Sequence, residues 1–198
     1  LGVGLVSFGF QLWIPSNLRD LGFAEVSADR ILRDAALIGF PLNFVVAWLY
    51  GVWSSRKTIV LLAGLTAAAL TGFVVAGDRV AEDRTLLYAL LIVPIWGISS
   101  LTAILAAYSS EIYPTRIRSR GSGLAAGASK AGGVLVIGVV VIALTPPTIA
   151  GTALMGAIPM ALAALAAVVF GVETRRRRLE EITAGEFDVA PRAEGAAP

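Results

Sequence analysis

The segment EIYPTRIRSRG at 111–121 sets one carboxylate, Glu111, ahead of three guanidinium groups, Arg116, Arg118 and Arg120, spaced two apart. Pro114 separates the acid from the cations, and Arg56 with Lys57 supplies a second cationic pair. An acid beside several cations at the end of an apolar run is material for a gate whose ion pairs form and break between two states. Exposed pairs of this kind contribute only about 0–1 kcal/mol each, so they bias an equilibrium. The plainer alternative is charge that only orients the chain in a membrane.

Lys130 stands alone inside the apolar run 121–144. A cation at the centre of a membrane helix costs about 2.5–3.5 kcal/mol on insertion scales. Lys130 is therefore either a gating partner or substrate counter-ion, or a side chain whose four-carbon stem reaches back to the headgroups. Other apolar runs hold Gln11, Asn17, Asn43, Trp96, Ser99 and Ser100. Trp96, Ser99, Ser100 and Ala103 recur at three- and four-residue spacing, giving a small, hydroxyl-bearing stripe suited to a wet cavity or to close helix packing. Buried amides need partners, which a substrate or a neighbouring helix would supply.

Much other chemistry is excluded by composition. The chain has no histidine and no cysteine, which removes imidazole-ligated metals, thiol nucleophiles and disulfides. No metal site and no cofactor is expected, and no catalytic residue. The net charge is only +2, and no basic face interleaved with aromatics exists to bind nucleic acid.

The elements that must position these residues are membrane helices. The chain is 57% hydrophobic with a mean hydropathy of +0.79, against roughly 45–50% apolar residues in soluble domains. A bilayer-spanning helix needs about 20 mostly apolar residues, and runs near 1–18, 35–53, 58–76, 86–110, 121–144 and 150–172 qualify. The polar connections are 19–34, 54–57, 77–85, 111–120 and 145–149. A six-span unit over 1–172 and a cytoplasmic polar tail over 173–198, largely disordered, are expected.

Lys and Arg collect on the cytoplasmic side of short loops. Arg56 and Lys57, the three loop arginines and the run Arg175–Arg178 fall on one side, nearly free of acids. Arginines on the other side are mixed with Asp20, Glu25, Asp29, Asp34, Asp78, Glu82 and Asp83. Both ends of the unit, and so the C-terminus, are expected in the cytoplasm. Gly123 and Gly127 form a GxxxG pair on the face of Lys130, the face expected to pack inside the bundle. Trp48, Tyr50 and Trp53 read as interfacial aromatics.

The string SSEIYPTRIRSRGSGLAAGASKAGG at 109–133 resembles the loop between spans ten and eleven of major facilitator superfamily transporters. Glu111, Tyr113, Pro114, Thr115, Arg118, Gly121 and Gly123 match the pattern of metabolite–proton symporters, and Lys130 stands where many members have arginine. ETRRRRLEEI at 173–182 is similar to the segment after the last span of sugar-porter-like members. Two departures stand out: GVWSSRKT at 51–58 lacks the Asp and first Arg of the corresponding family loop, and no tryptophan lies shortly before Glu111.

The resemblance implies an all-α membrane protein, six transmembrane helices forming the C-terminal half-bundle of a twelve-helix major-facilitator fold. It implies transport of a small organic metabolite, possible proton coupling, a preceding six-span half that is absent here, and a bacterial inner (plasma) membrane location. Two rival readings are a non-transporting membrane scaffold or sensor, and a half-size carrier acting as a homodimer. No acid lies inside a span, so a coupling carboxylate is expected in the other half.

Overall fold

The computed structural model describes residues 1–77, 79–113, 117–143 and 148–174. Arg116, Pro114 and the tail from Arg175 onward lie outside the described residues, and with them the expected disorder of the tail. All regular elements among the described residues are helical: α1 (Gly2–Leu5), α2 (Ile14–Asp20), α3 (Glu25–Val52), α4 (Ser55–Ala76), α5 (Arg79–Glu82), α6 (Arg84–Ile112), α7 (Arg118–Ala143) and α8 (Ile149–Phe170). Five of these, α3, α4, α6, α7 and α8, are long and apolar enough to cross a membrane.

The first expected span differs. Its residues are helical but broken, passing from α1 through a π turn at Val6–Phe10 and a 3-10 turn at Gln11–Trp13 into α2. No piece reaches membrane-spanning length, so the run is not among the five. Pro15 at the start of α2 has no N–H to continue a ladder from the preceding turn. Breaks of this kind gather at functional positions in membrane helices.

The expected connection 19–34 is also shorter than its polarity suggested. Helix α3 begins at Glu25, because charged residues of good helical propensity extend a helix beyond the apolar run. Gly22 and Gly77 carry positive φ, at 89° and 52°, in turns that close α2 and α4. Glycine meets no Cβ penalty there.

Helix α4 is the hub. It packs on α8 and α6, and α6 in turn packs on α3. Buried residues recur along α4 as Ile59, Leu62, Ala63, Thr66, Ala67, Leu70 and Phe73, the i, i+3, i+4 rhythm of a helix with partners on several sides. Phe10 of the π turn meets Phe73 with ring centroids 5.2 Å apart, joining the broken first segment to this core. Gly97 lets α6 reach α4, since a Cβ there would overlap Thr66 Oγ1.

Buried residues make up only 17% of the apolar windows of α3 and α7, against 44% for α4. Leu37, Phe40, Phe44 and Trp48 form an exposed stripe on α3. Gly123 and Gly127 meet nothing within 4 Å, so this face does not pack on the other described helices of the chain. The closely packed glycines of α7 are Gly132 and Gly133, set against Leu1, Gly4 and Phe8. Both stripes of α7 are rich in small residues, so spacing alone does not tell which one is used.

Candidate functional site

Two polar clusters emerge, one at the arginine-rich end of the bundle and one at mid-length. The first is built on α4 and α8, which run antiparallel with the N-terminus of α4 beside the C-terminus of α8. Each helix end leaves backbone groups unsatisfied and carries a partial charge, positive at the N-terminus and negative at the C-terminus. The two ends cap each other. Arg56 donates from Nε to the carbonyl of Ala167 at 3.2 Å and from Nη2 to that of Val168. Glu173 takes the backbone N–H of Ser55 at 3.0 Å and its hydroxyl at 2.9 Å, and also the hydroxyl of Ser54. Ser54 Oγ meanwhile accepts from Lys57 N at 3.0 Å as the N-cap of α4.

Residues 171–174 thus form a strap from α8 across to α4, and α6 holds it. Tyr108 Oη donates to the carbonyl of Val172 at 2.7 Å and accepts its N–H at 2.8 Å. Glu111 closes the cluster: its Oε2 accepts from Tyr50 of α3 at 2.7 Å and from Thr174 at 2.5 Å. The single Thr174 hydrogen lies between Glu111 and Ser55 Oγ, the latter at 2.8 Å; the charged acceptor makes the stronger bond. Four helices therefore meet on two carboxylates.

This arrangement differs from the ion-pair gate expected from charge alone. Among the described residues no ion pair joins Glu111 to Arg56, Lys57, Arg118 or Arg120. Arg118 donates to the carbonyl of Tyr113 at 3.3 Å, Lys57 Nζ lies 5.7 Å from the Trp53 ring centre, and Arg120 is exposed. Hydroxyls, not cations, hold the acid. Sequence reasoning missed Tyr50, Ser54, Ser55, Tyr108 and Thr174. Tyr50 had been assigned to the interface, and Glu173 with Thr174 to the tail, although both pack in the bundle. The two family-like strings at Glu111 and at Glu173–Thr174 were the available signal, and the structure brings them into contact.

At mid-length, Lys130 sits at the midpoint of the continuous 26-residue α7, about 18 Å from its N-terminal end. It is exposed, and its Nζ lies 5.6 Å from the Phe8 ring centre, within cation–π range. Phe8 packs on Gly133, where a Cβ would come within 2.5 Å of the ring. The π turn places Phe8 against α7, and half-buried Gln11 follows in the 3-10 turn.

The remaining candidates divide. Asn17 is buried and donates to Thr152 Oγ1 of α8 at 3.3 Å. Asn43 accepts from Ser100 at 2.7 Å and donates to the carbonyls of Gly39 and Phe40, tying α3 to α6. Ser99 is exposed, while Trp96 packs on Gly39 with its indole N–H buried and unbonded among the described residues. The structure unites Lys130 with Phe8 and Ser100 with Asn43; it does not gather all seven candidates into one pocket. No group of three or more His, Cys, Asp or Glu side chains able to hold a metal occurs among the described residues.

Five membrane-length apolar helices with a broken helical segment packed against them define a multi-pass integral membrane protein. The sequence model of the sugar (and other) transporter family matches residues 35–185. The chain belongs to that family, and so to the major facilitator superfamily of membrane carriers of small molecules. It is 28% identical over 178 residues to the "Putative niacin/nicotinamide transporter NiaP" of Bacillus subtilis (strain 168), a match covering 87% of this chain. The chain spans 42% of that relative's length. No solved structure matches the chain.

Proposed function

We propose that this chain is the C-terminal six-span part of a secondary transporter that carries a small organic anion by alternating access. In this reading the broken segment 1–20 is the first of the six spans. The exposed faces of α3 and α7 pack on a preceding six-span half, and substrate binds between the halves near the membrane midplane. The arginine-rich end and the C-terminus face the cytoplasm, in a bacterial inner membrane. Residues 1–172 form the half-bundle, with Glu173 and Thr174 as its strap and the remainder as a polar tail.

One observation carries the substrate class. Lys130 is the sole cation within the interior of these apolar runs, it lies at the midpoint of its helix, and no acid of the chain lies within them to neutralise it. An unpaired charge at that depth is costly, and an anionic substrate removes the cost when bound. Phe8 beneath the ammonium adds an apolar, aromatic wall. The relative's name points to a pyridine carboxylate or its amide as the first substrates to try. The reading assigns any proton-coupling carboxylate to the preceding half.

The strap is the cytoplasmic gate of this reading. Glu111, Tyr50, Ser55 and Thr174 hold the ends of α3, α4 and α6 together, and bending of these helix ends between the two states would make and break these bonds. Arg56 and Lys57, together with Arg118 and Arg120, form the cationic rim around it. Uptake of radiolabelled nicotinate into proteoliposomes holding the full-length protein tests the function. Time-dependent accumulation above empty vesicles is the expected result, and its absence for every small organic acid tried rejects the reading.

A further inference from the structure

The α4–α8 pair carries a groove that shares Arg56 and Lys57 with the cationic rim of the proposed gate but extends from it along an aliphatic face. It encloses about 640 Å³ and is lined by Trp53, Arg56, Lys57, Val60, Leu61 and Val168, with Ser54 and Glu173 at its end. The floor is aliphatic, and it opens on the side where Leu61, Leu65, Val168 and Val169 are exposed. The mouth is cationic. Lys57 is exposed and lies beside Trp53, which is itself 45% exposed.

Arg56 spends two of its five N–H donors on the Ala167 and Val168 carbonyls, which leaves three for another acceptor. The carboxylate of Glu173 at the end of the groove accepts from Ser54 and Ser55. Four further arginines, Arg175–Arg178, follow Thr174 directly in sequence.

A greasy floor under two cations and a tryptophan, at the end of a membrane-length helix, complements an amphiphile with an anionic head. We propose that this groove binds an anionic phospholipid, its phosphate at Lys57 and Arg56 and the start of an acyl chain along Val60, Leu61 and Val168. Basic pockets between membrane helices hold such headgroups. A soluble anion would leave the aliphatic floor uncovered, and a zwitterionic lipid would not match the local charge. The site lies where the proposed orientation puts the cytoplasmic leaflet. Its test reads lipid binding and not uptake, so either idea can fail without the other.

The test is native mass spectrometry of the purified full-length protein in neutral detergent, titrated with phosphatidylglycerol, phosphatidylcholine or inorganic phosphate. Phosphatidylglycerol is expected to stay bound to the wild type, and phosphatidylcholine to be lost at equal concentration. Lys57→Gln is expected to weaken phosphatidylglycerol binding about fivefold, with Lys57→Arg restoring it. Equal retention of both lipids, displacement of phosphatidylglycerol by inorganic phosphate at equal concentration, or unchanged binding by Lys57→Gln would each overturn the proposal. Thermal unfolding of each variant without lipid confirms that it is folded before its binding is read.

Discussion

Thr174→Val is the sharpest perturbation of the strap. Valine keeps the shape of the side chain and removes one hydroxyl. Thr174 is 7% exposed, so the space it fills stays filled, and the changes are the 2.5 Å bond to Glu111 and the 2.8 Å contact with Ser55. A hydrogen bond to a charged acceptor contributes about 1.5–3 kcal/mol. Glu111 is only half-buried and keeps Tyr50 as a donor at 2.7 Å, so the cost falls at the lower end, about 1–2 kcal/mol. If the strap holds one alternating-access state, that energy shifts the balance between states by a factor of about 5–30.

The assay uses Thr58→Cys, a fully buried position one turn into α4 from Ser54, where these 198 residues hold no other cysteine. In the full-length protein, its alkylation by a membrane-impermeant maleimide reports access from the strap side. Thr174→Val should raise the labelling rate by that factor, and Glu111→Gln should have a smaller effect in the Thr174→Val background than alone, since both weaken the Thr174–Glu111 bond. Labelling within twofold of the parent, or fully additive effects of the two changes, would refute the gate.

Two other outcomes follow from the packing. Arg56→Gln removes the donors that cap the last carbonyls of α8 and should lower stability by about 1–2 kcal/mol, read as a fall in thermal midpoint with Lys57→Gln as the control. Gly97→Ala should destabilise by about 1–3 kcal/mol through overlap with Thr66, and Thr66→Ala should restore most of the loss. Gly127→Ala meets open space within the chain. It should leave the stability of these helices unchanged while slowing transport, if the face packs on the preceding half.

Spans α4, α6, α7 and α8 were legible within two or three residues, because membrane helices are read from length and apolarity, which are local properties. The start of α3 was misjudged because apolarity marks the membrane and not the end of a helix. The break in the first segment left no mark beyond Pro15; Phe8 and Phe10 of the π turn pack against Gly133 and Phe73, distant contacts that no local pattern shows. The candidate site was legible only in pieces. Lys130 stood out by its cost, and Glu111 and Glu173–Thr174 by their motifs. That Thr174 bonds to Glu111 across 63 residues, or Glu173 to Ser54 across 119, is decided by the antiparallel docking of α8 on α4. No local pattern encodes that.

The central claim is that Lys130 receives the anionic group of the substrate. The direct measurement is uptake of nicotinate and of nicotinamide, side by side, by the wild type and by Lys130→Gln in the full-length protein. Losing a charge-assisted partner costs about 1.5–3 kcal/mol, so nicotinate uptake at low concentration should fall roughly 10- to 150-fold, while nicotinamide uptake stays within about twofold. Equal loss of both would make Lys130 a structural or gating residue, and unchanged nicotinate uptake would contradict the assignment outright.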